Sequence, residues 1–208
     1  YVYRIMAITN LADIIKNGLY CKNGCPKNDR YITIANKEII EQRDERRVTC
    51  YPATVVNDFV PFYFSIRTPM LYNIHTNQGV ESYPQKNIIY LCFKLSDLTT
   101  DEFQWCYTDG NAAKAITKFF KSLDNIDKHI DWHSITTTDF RNANSDGDND
   151  RVRKKHSEFL VKTYVPSRLI RGIVVINEEK KMEVEDILKY KSVNIKVIVS
   201  PPNKYFFQ

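Results

Sequence analysis

RVRKKHSEFLV, Arg151 to Val161, sets a basic run directly against an apolar strand, with one carboxylate between them. Five of its first six residues are basic or histidine. Phe159, Leu160 and Val161 then open what reads as a buried strand, EFLVKTYV. A glutamate at the lip of such a strand is costly unless something pairs with it or uses it. Two readings of Glu158 stand on these residues alone. It pairs with Arg153 or Lys154 at the strand end. Or it lies at a cleft edge, placed to bond a substrate hydroxyl or to offset developing positive charge, with the basic loop holding phosphates nearby.

Working outward, GIVVIN, EVEDILKY and IKVIV read downstream as strand, helix and strand. Upstream, VYRIMAI reads as a short strand. TNLADIIKNGLY reads as a helix capped at Thr9 or Asn10, with Asp13 in its first turn and Asn17-Gly18 as its stop. CKNGCPKNDR is a polar loop, YITI an extended run and NKEIIEQRDERR a short charged helix. VPFYFSI, NIIYLCFKL and QWCYT read as strands, RTPMLYNIHTNQG begins with a Pro-punctuated turn, and SDLTTDEF is a connector. DGNAAKAITKFFKSL carries Ala112, Ile116, Phe119, Phe120 and Leu123 at helical spacing, which predicts a helix capped by Asp109 or Asn111. From Asn125 to Asp150 the chain is polar and irregular. Strands and helices intermix without repeat or linker, which predicts one α+β domain spanning 1–208.

The 208 residues are 43% hydrophobic and 12% aromatic, the composition of a folded globular protein. No apolar run approaches the roughly 18 residues of a membrane helix. The chain begins at Tyr1 rather than Met, so a trimmed start is expected, and nothing in it reads as a signal peptide. Five cysteines without framework spacing suggest free thiols in a reducing, cytoplasmic compartment. The formal charge of +5 is modest but clustered, at Arg43, Arg46 and Arg47 and again at Arg151, Arg153, Lys154 and Lys155. Such clusters are either solvated faces or phosphate surfaces.

Several chemistries fail on spacing. SDGDND alternates its aspartates like a calcium loop, but Arg151 and Ser157 stand where Gly and Glu are required. Cys21 and Cys25 lack a second paired motif for zinc, so no metal is expected. The chain has no P-loop, G-x-G-x-x-G or G-x-S-x-G.

Six blocks settle what these patterns leave open. YRIMAITNLADIIKNGLY, ITIANKEIIEQR, VPFYFSIRTPMLYNIH, WCYTDGNAA, DWHSI with DFR, and EFLV with YVP follow one another along nearly the whole chain. In this order they resemble the DarT family, bacterial toxins that transfer ADP-ribose from NAD onto single-stranded DNA. The wording fits the thymidine-modifying branch. The resemblance implies an ADP-ribosyltransferase-like split, mostly antiparallel β-sheet core with flanking helices. It implies that Glu158 is the catalytic glutamate. Arg43 matches the arginine proposed to assist deprotonation of the thymine ring nitrogen. Since a guanidinium is a poor base, stabilising the deprotonated base or orienting the NAD phosphates is the expected role. On the residues alone, Arg43 could equally pair with Glu38, Glu41 or Asp44 on its own helix.

By the same resemblance Arg4, Ile5 and Met6 form the NAD-binding strand, and Asp13 and the loop after Leu19 also face the cofactor. Arg67, Thr68, Pro69, Met70, Leu71 and Tyr72 match a DNA-contacting turn, where Arg and Tyr suit phosphate contact and base stacking. Phe140, Arg141, Arg151 and Arg153 fall in the loop before the catalytic strand, which selects the target base in this fold. Two features depart from the family. Ala7 stands where members commonly carry His, and the loop between Asn142 and Asp150 is longer and more acidic. The implied partners are single-stranded DNA and a macrodomain antitoxin, DarG, with no membrane. The competing expectations are a non-catalytic single-strand binding module and a transferase acting on protein or RNA.

Overall fold

Apolar strands pair into a sheet, and the side chains of Asn36, Thr68, Asp131 and Asn177 cap four of the intervening helices. The computed structural model describes residues 1–26, 28–78, 83–142 and 147–208. In chain order the first elements are β1 (Val2–Ala7), α1 (Leu11–Asn17), β2 (Leu19–Tyr20), α2 (Lys37–Glu45), β3 (Phe59–Tyr63) and α3 (Pro69–His75). Next come β4 (Ile88–Phe93), α4 (Leu95–Leu98), β5 (Trp105–Thr108), β6 (Phe119–Phe120), α5 (Ile126–His129) and α6 (Trp132–Thr136). The chain closes with α7 (Arg151–Lys155), β7 (Glu158–Lys162), β8 (Tyr164–Val165), β9 (Gly172–Val175), α8 (Glu178–Tyr190) and β10 (Val197–Val199).

Among the described residues eight strands form one sheet in the order β10-β9-β4-β1-β3-β7-β5-β6, and β2 pairs with β8 apart from it. Neighbours in the large sheet run antiparallel except β9 and β10, whose parallel pairing the α8 crossover permits. β1 is zipped to β4 from Val2↔Phe93 to Ala7↔Ile88, but its register with β3 is the single pair Tyr3↔Tyr63. The sheet therefore opens between β1 and β3, which is the expected split. Arg4 Nη1 spans the opening to the Pro61 carbonyl at 3.1 Å.

Period-2 alternation assigns the two faces. Met6, Phe62, Ile89, Leu91, Phe159 and Val161 pack with Leu11 and Ile14 of α1 and Val184 and Leu188 of α8. On the other face Ile5, Ile88, Tyr90 and Val174 meet Leu71 and Ile74 of α3 and the closing Phe206 and Phe207.

Five segments differ from their sequence patterns. Asn125 to Asp150, expected to be irregular, holds α5 and α6, and EFLVKTYV divides into β7 and β8. The stretch expected as a helix from Asp109 onward is a series of turns ending in β6. Asp109 Oδ1 accepts the Lys118 amide at 2.9 Å, and the Thr117 hydroxyl donates to the Asn111 carbonyl at 2.7 Å. These local bonds compete with a helix, and Phe119–Phe120 pairs instead with β5. Ile116, counted on the apolar stripe, is 70% exposed. The turn at Thr68-Pro69 is the start of α3: the Thr68 hydroxyl accepts from the Leu71 amide at 3.2 Å, and Pro69 takes the first helical position. The basic run Arg151–Lys155 is the helix α7 rather than a loop. Asp146 of the rejected calcium pattern lies outside the described residues.

Candidate active site

Glu158 is the first residue of β7, and its side chain is nearly sealed from solvent, at 3% exposure. Its amide donates to the Thr108 hydroxyl at 3.0 Å, and that hydroxyl donates in turn to the Gly110 carbonyl at 2.7 Å. This bond fastens the turn after β5 against the start of β7. The turn then aims the Ala112 amide at Glu158 Oε1, 3.1 Å away. Gly110 has no room for a Cβ, which would run into the Arg153 guanidinium. Arg153 itself is spent on the turn, pairing with Asp109 at 3.1 Å and Asp150 at 2.6 Å and donating to Thr117.

The partner of Glu158 is neither Arg153 nor Lys154. It is Arg43, whose Nη1 donates to Oε1 at 3.0 Å and Oε2 at 2.9 Å. Arg43 rides on α2, a helix with no buried residue, which Asn36 caps through the Ile39 amide at 3.2 Å. Asn57 Nδ2 anchors that helix by donating to the Ile40 carbonyl at 2.8 Å. A polar helix is thus pinned to the body mainly by hydrogen bonds and by one buried guanidinium. Arg43 Nη2 is buried without a hydrogen-bond partner among the described residues, and so is Arg4 Nε. Buried donors left open cost about 1–3 kcal/mol each, so they mark where a ligand acceptor belongs.

Both arginines line a cleft of about 570 Å³ that also takes in Ile5, Met6, Asp13, Met70 and Glu158. The size suits a dinucleotide. All the residues expected to face the cofactor therefore share one cleft with the expected catalytic pair. Asp13 there accepts from Asn17 Nδ2 at 2.7 Å. Asn10 clamps the far wall by bonding both the amide and the carbonyl of Ile32, at 2.9 and 2.8 Å. Ala7 is fully buried at the end of β1.

The residues expected on DNA divide. Tyr72 is 38% exposed, and its ring meets Phe140 and Phe207 edge-on, with centroids at 5.7 and 5.2 Å. Arg67 lies over the Phe207 ring at 4.5 Å, and its Nη1 donates to the Asn203 carbonyl at 3.0 Å. Arg141 is exposed and pairs with Asp139 at 2.9 Å. Met70 lines the cleft itself, and Arg67, Tyr72 and Phe140 gather on Phe207 as one cluster. Thr68, Pro69 and Leu71 are buried beneath it as cap, first turn and core. Arg151 is buried as well, and Lys154 pairs with Asp131 and Asp148 at 3.3 and 3.1 Å. The second basic cluster is thus largely neutralised from within, and Asp148 and Asp150 of the acidic loop do much of that.

Sequence reasoning passed over three neighbours of the glutamate. Tyr63 lies opposite it in register, and burial together with the Glu158 charge pushes its phenol above the usual tyrosine range. Asn111 and His156 line the cleft. Burial pushes His156 below the usual histidine value, and its Nδ1 lies 3.0 Å from the Val152 carbonyl. The signal for His156 was its place two residues before Glu158, and it stands at the turn that joins α7 to β7. Lys155, also passed over, is 2% exposed and gives its ammonium to the carbonyls of Ile135 and Thr137 at 2.9 and 2.7 Å. Among the described residues no cluster of His, Cys, Asp and Glu is placed to hold a metal ion. No helix there is long and apolar enough to cross a membrane.

A split sheet whose cleft holds a buried, arginine-locked glutamate at a strand end defines the ADP-ribosyltransferase class. The family model for DarT, the ssDNA thymidine ADP-ribosyltransferase, matches residues 3–207, and the chain belongs to that family of DNA ADP-ribosyltransferases. A DNA ADP-ribosyl transferase of Escherichia coli O127:H6 is 29% identical over 197 residues, covering 94% of this chain and 89% of that protein. One from Thermus sp. strain 2.9 is 32% identical over 190 residues, covering 90% and 87%. The fold matches Thermus sp. 2.9 DarT in complex with ADP-ribosylated ssDNA at a TM-score of 0.88, with 28% identity over 99% of this chain and 95% of that one. The same protein in complex with NAD+ matches at 0.84, with 26% identity over 99% and 96%. Thermosipho africanus DarTG in complex with ADP-ribose matches at 0.76 with 25% identity, over 96% of this chain and 50% of that one.

Proposed function

We propose that the chain, acting as one domain over residues 1–208, is a cytoplasmic toxin that transfers ADP-ribose from NAD to thymine in single-stranded DNA. The observation that carries this reading is the Arg43–Glu158 contact at the floor of the cleft. NAD, when bound, supplies the activated anomeric carbon. The open donors of Arg43 and Arg4 are matched to its phosphates and hydroxyls. Three donated hydrogen bonds already fix the Glu158 carboxylate, which leaves it capacity to accept one ribose hydroxyl. Held so, its charge offsets the positive charge that grows at the anomeric carbon as nicotinamide leaves. The backbone of Arg4, Ile5 and Met6 lines the nicotinamide side. The face of Arg67, Met70, Tyr72, Phe140 and Arg141 receives the strand, its rings stacking an extruded base. Arg151, buried with its Nη1 toward the Asp139 carbonyl, and Arg153, which holds the Asp109–Thr117 turn, brace the framework of the site rather than the strand itself. A macrodomain antitoxin of the DarG kind is the matching partner, reversing the modification.

The test is mass spectrometry of short single-stranded oligonucleotides incubated with the protein and NAD. One added ADP-ribose, only on strands containing thymidine, is the expected result. Modification of RNA or protein instead of DNA would overturn the acceptor, and strand binding without NAD turnover would overturn the activity.

A further inference from the structure

The proposed reaction leaves one proton without a destination. A thymine ring nitrogen carries hydrogen and attacks well only after losing it. Arg43 cannot take it, because a guanidinium stays protonated at any working pH. Glu158 is committed to Arg43 and to the Ala112 amide, and its remaining capacity serves the ribose. Among the described residues the cleft is also lined by the carboxylate Asp13, which accepts from Asn17, and by the imidazole of His156 beside Glu158.

We propose that His156 is a catalytic residue, the general base that removes the ring-nitrogen proton of the acceptor base, an assignment that rests on the thymidine reading above. His156 lines the cleft with Glu158, two residues away. Its Nδ1 is 3.0 Å from the Val152 carbonyl, which can only accept, so Nδ1 carries the hydrogen and Nε2 the lone pair. The helix α7 supplies that carbonyl, so the tautomer is fixed by the element that leads into the catalytic strand. Burial favours the neutral ring, the form a base requires. The charges around it are Glu158, which favours protonation, and Lys155 and Arg43, which oppose it; Tyr63 faces the ring at 6.2 Å between centroids.

The step balances. The ring nitrogen gives its proton to Nε2 and its electron pair to the anomeric carbon. The bond from that carbon to nicotinamide breaks, and its electron pair neutralises the pyridinium nitrogen. The imidazolium then releases the proton to water.

The experiment compares wild type with His156→Gln, which keeps a polar side chain of similar reach, and reads kcat for a thymidine oligonucleotide from pH 5.5 to 9.5. The wild-type rate is expected to rise and level off below the ordinary histidine value of about 6.5. The variant should be about 100-fold slower at neutral pH. Its rate should keep rising with pH and approach wild type in the alkaline range, where the base loses its proton unaided. NAD affinity by calorimetry and the thermal midpoint should stay near wild type. Nitrogen-15 NMR of the free protein should show His156 neutral at pH 7 with its hydrogen on Nδ1, and its signal should move when a thymidine oligonucleotide is added. A variant with the wild-type rate and pH profile, or a His156 signal indifferent to the oligonucleotide, overturns the proposal. Failure of wild type itself to modify thymidine overturns the functional reading instead.

Discussion

Arg43 Nη1 bridges both carboxylate oxygens of Glu158, across 115 residues of sequence. The side chains are 11% and 3% exposed, so the pair is held largely out of water, where each charge depends on the other. Both residues also line the cleft, which makes one contact responsible for fixing α2 to the sheet and for presenting the carboxylate.

Glu158→Gln tests the second of these tasks. The amide can still accept from Ala112 but cannot carry the charge that offsets the transition state. Transfer should fall by about 10³-fold, with NAD binding changed far less. The variant should fold, with a stability loss of about 3 kcal/mol from the unpaired Arg43. Urea denaturation beside the oligonucleotide assay separates the two effects, and a wild-type rate would remove Glu158 from the chemistry.

Arg43→Ala tests the first. It leaves a buried carboxylate unpaired and frees a helix with no buried residue of its own. The expected loss is about 3 to 5 kcal/mol. Arg43→Lys restores a charge but cannot bridge two oxygens and also fill the Nη2 position. Its stability should recover by more than half, while the KM for NAD stays about 10-fold raised. Equal KM values for Lys and Arg would show that the open donor meets no ligand.

This contact also marks how far the sequence could be read. Strands such as Ile88–Phe93 and Phe159–Val161 were legible because continuous or alternating apolar residues admit few other structures. The resemblance of their sequence blocks singled out each of the two residues. Their meeting was not legible, because Arg43 had Glu38, Glu41 and Asp44 on its own helix and only tertiary packing rejects them. The same limit explains the stretch after Asp109. Its apolar spacing suited a helix, but the side-chain bonds of Asp109 and Thr117 and a free edge on β5 decided for turns and β6. Basic residues gave the least reliable reading. Charge was visible at Arg151, Arg153 and Lys155, but not that Asp109, Asp150 and two carbonyls would consume it.

Lys155 makes a prediction in pH. Burial, with Arg67 adding to it, pushes its ammonium from 10.5 down to about 8. The two carbonyl bonds and the Phe140 ring at 5.7 Å pull the other way. Between about pH 8 and 10.5 the unfolded chain binds a proton that the folded chain does not. Stability from this group is therefore lowest below pH 8 and rises through that window, by up to about 3 kcal/mol. Lys155→Met removes the dependence. Urea midpoints should show wild type gaining on the variant between pH 7 and pH 10. Parallel curves would mean that the carbonyl bonds outweigh desolvation and keep the ammonium at its ordinary value.

Phe207 makes the last prediction, because its ring joins residues from three parts of the chain. Arg67 lies over it, Tyr72 meets it edge-on, and Phe140 meets it at 6.3 Å. Its amide and carbonyl are both held by the Gln85 side chain, at 2.9 Å each, so the ring is fixed from behind. Phe207→Ala should destabilise the fold by about 3 kcal/mol. If the face of Tyr72 and Phe140 receives the strand, the same change should raise the KM for oligonucleotide about 10-fold. The KM for NAD should not move, since the cofactor cleft does not include Phe207. Phe207→Leu keeps most of the volume but loses the ring faces, so it should recover stability more fully than oligonucleotide KM. Equal recovery of both would show that Phe207 supports the fold in general. A rise in the NAD constant would show that the two faces of the site are not independent.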